Sequence, residues 1–73
     1  MTVWYRQSVD EIANEPAVIT PHSEEQTDEE LLAAKAAGAA DKDWSVEWTG
    51  ERSFTATKDR WGGVLCVREF WIE

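Results

Sequence analysis

With 73 residues the chain is read as a single compact domain, residues 1–73, near the lower limit for a self-sufficient core. Fifteen acids against seven Lys and Arg give a net charge of −8, which disfavours direct contact with nucleic-acid phosphates or anionic membranes. Five Trp, two Phe and one Tyr exclude a wholly disordered acidic chain, and a lone cysteine, Cys66, excludes an internal disulfide. The N-terminus shows no basic region followed by an apolar run, and no stretch approaches the roughly 20 apolar residues that span a bilayer. A soluble cytoplasmic protein that meets another protein is expected.

Thr2–Gln7 (TVWYRQ) is short, aromatic and β-branched, and predicts a strand. Ser8-Val9-Asp10-Glu11 matches a capping box, so a short N-terminal helix is expected, limited to about two turns by Pro16. Ala17–Ser23 is extended or loop. Thr27-Asp28-Glu29-Glu30 is a second capping box, and Leu31–Ala40 continues it with strong helix formers. Leu31, Leu32, Lys35, Ala36 and Ala39 share one narrow stripe of that helix, and Gly38 with Asp41-Lys42-Asp43 marks its exit.

From Trp44 the period changes to two. Trp44, Val46 and Trp48 alternate with Ser45, Glu47 and Thr49, and after a Gly50-Glu51 turn Phe54 and Ala56 alternate inward again. Asp59–Gly63 predicts a second turn. Val64–Ile72 (VLCVREFWI) is apolar on both faces, as expected of a central strand. The order implies an α+β fold: an antiparallel sheet of three to four strands, one main helix packed on a face, and the short N-terminal helix.

Catalytic and metal-binding patterns do not emerge. One His and one Cys make neither a nucleophile–base pair nor a zinc site, and the acids do not follow a calcium-loop template. His22 is expected in an exposed loop and Cys66 as a buried, inert thiol. No cofactor, no metal and no enzymatic activity are expected.

The acids are unevenly placed. Between Gln7 and Ala34 lie Asp10, Glu11, Glu15, Glu24, Glu25, Asp28, Glu29 and Glu30 with no Lys or Arg, while the other seven acids and seven bases cancel. One reading is a solvated face whose helix-initiating acids simply complement the dipole. The other is an anionic face, shared by two helical elements, that imitates the charge row of duplex DNA. If the main helix reached back to Ser23, Glu24/Asp28 and Glu25/Glu29 would be repulsive pairs costing about 0.2–0.5 kcal/mol each. Trp61, in a turn beside Arg60, is either a packing residue or an interface anchor.

Taken whole, from MTVWYRQSVDEIANEP through SEEQTDEELLAAKAAGAA to WGGVLCVREFWIE, the chain resembles the small acidic inhibitors that phages and mobile elements direct against bacterial defence. In particular it resembles anti-CRISPR proteins of type I (Cascade) systems, the type I-C group among them. The likeness rests on overall character, a tiny charged α+β domain without catalytic residues. It implies DNA mimicry, with the acidic face occupying the cleft where the large Cascade subunit receives target DNA. The expected partner is a basic nucleic-acid-binding protein, met by a monomer. The resemblance itself assigns no residue; the expected contacts, from charge placement and the Arg60-Trp61 turn, are Asp10, Glu11, Glu15, Glu24, Glu25, Asp28, Glu29, Glu30 and Trp61. The competing expectation is an adaptor or antitoxin-like module that binds through aromatic contacts.

Overall fold

In the computed structural model, residues 1–59 and 62–73 are described; Trp61 lies outside them. The four long strands are β1 (Val3–Val9), β4 (Ser45–Gly50), β5 (Ser53–Asp59) and β6 (Leu65–Ile72). Two short ones, β2 (Ile12–Ala13) and β3 (Ala17–Ile19), both pair with the outer side of β1. All pairings are antiparallel, and the sheet runs β2-β1-β6-β5-β4, so the apolar β6 is central as its composition predicts. One helix, α1 (Asp28–Asp41), crosses a single face. The α+β class holds, with six strands in place of three to four.

The expected N-terminal helix is absent, and its segment forms a hairpin. Asp10 and Glu11 adopt left-handed backbone angles, φ 51° and 67°, and Val9 lies opposite Ile12. Two positive-φ residues between paired strands are the geometry of a type I′ hairpin turn, whose twist suits antiparallel strands. Ser8, read as an N-cap, is instead paired with Val67 on one side and Ala13 on the other. A two-turn helix is marginal alone. Extending β1 to Val9 adds ladder bonds to the central strand β6, and that tertiary gain decides the outcome.

The second capping box forms as its residues predict. Thr27 Oγ1 accepts from the Glu30 N–H at 3.1 Å, and the Thr27 N–H donates to Glu30 Oε1 at 3.2 Å. The helix runs through Gly38 and ends at Asp41, in the Asp41-Lys42-Asp43 run that marks its exit in the sequence. Its closure is a Schellman arrangement: Trp44 N–H bonds Ala39 O at 3.0 Å and Asp43 N–H bonds Ala40 O at 3.2 Å, with Asp43 left-handed at φ 67°. Trp44 therefore folds back onto the helix stripe next to Ala39.

The core is one cluster. Leu31, Leu32 and Ala36 of α1 meet Val3 of β1, Phe54 and Ala56 of β5 and Phe70 of β6, with Tyr5, Ile19, Ala39, Trp44, Val46 and Ile72 partly buried around them. Phe54 and Phe70 stack with ring centroids 4.6 Å apart, and Tyr5 and Trp48 extend the row at 5.8 and 5.1 Å. Trp48, expected inward, does lie against Phe54 but stays 49% exposed because β4 is the outermost strand. Trp71 packs on the opposite sheet face, in register with Trp4. Cys66 is fully buried and His22 exposed.

Replacing Asp10-Glu11 by Asn-Gly, the residue pair that favours this turn, should raise Tm by about 2–6 °C in thermal unfolding. A fall in Tm, as loss of a helix-capping Glu11 would give, contradicts the hairpin.

Candidate functional site: the acidic pole

The register divides the expected acids between two ends of the molecule. Val3, Ile72 and Ser53 mark one end of the sheet, and Val9, Cys66 and Asp59 the other. Seven residues of β1 separate them by roughly 20 Å. Asp10 and Glu11 turn at the Val9 end, where the Asp10 N–H bonds Leu65 O at 3.0 Å. Chain leaving β3 departs from the Val3 end, since Ile19 pairs with Val3, and α1 begins at that same end. Glu24, Glu25, Asp28, Glu29 and Glu30 therefore gather there. Glu15 belongs to neither group: it follows Asn14, whose N–H bonds Gln7 O at 2.8 Å alongside β1. The two halves of the acidic segment do not share one surface.

The Val3 end gains two acids that segment-by-segment reading did not associate with it. Glu51 occupies the β4–β5 turn, which Arg52 O ties to Ile72 N–H at 3.0 Å. Glu73 pairs its backbone with Thr2 at 2.9 Å in both directions. Strand order makes both neighbours of the helix start, which no local signal in the sequence reveals. Glu24, Glu25, Asp28, Glu29, Glu30, Glu51 and Glu73 thus form an acidic pole, with Asp28 partly buried and the rest exposed.

Compensation there is slight. Arg52 pairs with Glu29 at 2.8 Å, both side chains about half exposed, an ion pair worth no more than about 1 kcal/mol. The N-terminal dipole of α1 favours Asp28, Glu29 and Glu30. Because the helix begins at Asp28, the repulsive Glu24/Asp28 and Glu25/Glu29 helical pairs do not form. At the far end Asp10, Glu11, Asp41, Asp43 and Asp59 are interspersed with Lys42 and Lys58, whose Nζ donates to Lys42 O at 2.9 Å. Among the described residues, the excess of carboxylates over bases is therefore larger at the helix start.

Among the described residues no helix is long and apolar enough to cross a membrane, and no three His, Cys, Asp or Glu side chains converge as a metal site would require. Clustered carboxylates destabilise the folded state through mutual repulsion that salt screens. Tm should therefore rise as NaCl is increased, and the triple variant Glu24→Gln, Glu25→Gln, Glu51→Gln should lose roughly half of that rise or more. A salt-independent Tm, or an unchanged slope in the triple variant, contradicts the pole.

Comparison with known proteins returns no matching family model, no matching curated protein and no matching solved structure, leaving charge and shape as the guides to this chain's role.

Proposed function

We propose that the protein is a non-enzymatic anionic decoy, whose acidic pole docks in the basic groove of a nucleic-acid-binding protein and occupies the place of phosphates. The observation that carries this reading is the convergence of Glu24, Glu25, Asp28, Glu29, Glu30, Glu51 and Glu73 on one end, opposed there by Arg52 and the N-terminal amine. Duplex DNA presents one charge per roughly 1.7 Å of axis, and a close group of carboxylates is the protein feature nearest to that density. Complementary fields would speed encounter and make affinity fall with salt. The resemblance to type I-C anti-CRISPR inhibitors makes the large Cascade subunit, in the cytoplasm of a bacterial host, the partner of first choice. Asp10, Glu11 and Glu15, remote from the pole, have no direct part in this docking. Trp61 is not needed for it.

The adaptor reading keeps one specific support, the half-exposed Trp48 at the free edge of the sheet. The two readings separate by salt and by mutation. In competition with target DNA for purified type I-C Cascade, the wild-type chain should bind at about 50 mM salt and lose affinity steeply by about 200 mM. Glu24→Lys, Glu25→Lys and Glu51→Lys together should weaken binding by roughly a hundredfold or more. The Asp10→Asn, Glu11→Gly variant should stay within about threefold of wild type, as removal of distant charge allows. Absence of competition by the wild type rejects this partner, and a loss caused only by Trp48→Ala favours the adaptor.

A further inference from the structure

A second site of opposite charge lies beside the helix. Two of the cations are spent on carboxylates, Arg6 on Glu69 at 2.9 Å and Arg52 on Glu29 at 2.8 Å. Lys35 and Arg68 form no ion pair among the described residues, yet they occupy interior-facing positions. Lys35 sits in the stripe of α1 that carries Leu31, Leu32, Ala36 and Ala39 to the sheet, and it is half-buried. Arg68 alternates with Phe70 and Cys66 on the helix-facing side of β6. Both line one cavity of about 440 Å³, together with Tyr5, Gln7 and Phe70. They also line an adjoining cavity of about 240 Å³ reaching Lys42 and Trp44. Among the described residues no carboxylate lines either space, in a chain with fifteen acids.

Arg68 is held in a way that leaves its binding edge open. Its Nε donates to Gln7 Oε1 at 2.9 Å, and its guanidinium carbon lies 4.5 Å from the Trp44 ring centroid. Among the described residues its two terminal nitrogens have no protein acceptor, so a preset fork of donors remains. Lys35 adds a second positive charge to the same cavity, and among the described residues neither is paired with a carboxylate. The adjacent wall is aromatic: Tyr5 stacks on Phe70 at 5.8 Å, and Phe70 in turn stacks on Phe54, so Tyr5 is the ring at the open end of the row. The volume falls within the roughly 300–1,000 Å³ range of small-molecule sites.

We propose that this cleft binds a small aromatic anion, its acidic group held between Lys35 and Arg68 and its ring laid against Tyr5. Carboxylate and phosphate share the required chemistry, and the proposal does not depend on the acidic pole. NMR titration of the full chain with benzoate, phenyl phosphate, phenol and inorganic phosphate tests it. Benzoate or phenyl phosphate should give saturable shifts at Tyr5, Lys35, Arg68 and Phe70, and the tighter of the two identifies the acidic group preferred. Phenol and inorganic phosphate should bind at least about tenfold more weakly, since each lacks half of the recognition. Lys35→Gln, and separately Arg68→Lys, which keeps charge but loses the fork, should each weaken the better ligand about tenfold. Lys42→Gln, at the rim, should change it less than about threefold. No saturable shift from either ring-bearing anion at about 10 mM, or unchanged affinity in Lys35→Gln, overturns the proposal.

Discussion

Phe54 and Phe70 stack 4.6 Å apart at the middle of the sheet, in the cluster that Leu31 and Leu32 join from the helix above. This contact is where the two layers meet, and it sets the position of everything else. An α-helix with its side chains is about 10–12 Å wide, whereas a sheet five strands across spans about 19 Å. One helix cannot roof it. Centred on the Phe54–Phe70 pair, α1 leaves a margin on each side. One margin exposes half of Trp48 on β4, and the other opens as the cleft beside Tyr5, Gln7 and Arg68.

The same docking fixes the direction of the helix and hence the field. Fourteen helical residues rise about 21 Å, close to the length of β1, so α1 spans the sheet from end to end. Its first turn lies at the Val3 end, where the β4–β5 turn and the C-terminus also arrive. Acids from three separate stretches of chain thus converge. Lys35, halfway along the same helix, is carried over the centre of the sheet to the cavity that Arg68 also lines. A net charge of −8 conceals this division. An anionic end and a cationic cleft coexist because seven carboxylates gather where the helix starts while, among the described residues, none lines the space beside it.

Features governed by local chemistry are legible in the sequence alone. Thr27 and Glu30 cap the helix, Phe54 and Ala56 alternate inward, and an apolar run places β6 at the centre. Features that escape such a reading depend on partners distant in the chain. Ser8-Val9-Asp10-Glu11 has the residues of a capping box, but Ser8 pairs with Val67 across 59 positions, and that ladder prevails over a two-turn helix. The helix exit is legible in the Asp41-Lys42-Asp43 run, but not that Asp43, rather than a glycine, takes the left-handed position. Glu51 and Glu73 join the acidic pole only through the order of the strands. Lys35 is visible on the helix stripe, while the matching role of Arg68 depends on which side of β6 faces the helix.

The distribution of charge over this scaffold is open to direct mapping. Amide relaxation measured with a cationic and then an anionic paramagnetic cosolute reports the local potential residue by residue. The cationic probe should concentrate at residues 24–30, 51 and 73, well above its level at residues 10–11, and the anionic probe should concentrate around Lys35 and Arg68. Equal enhancement at both ends of the sheet by the cationic probe, with no enrichment of the anionic one beside the helix, would contradict the structure's division into an acidic pole and a basic cleft.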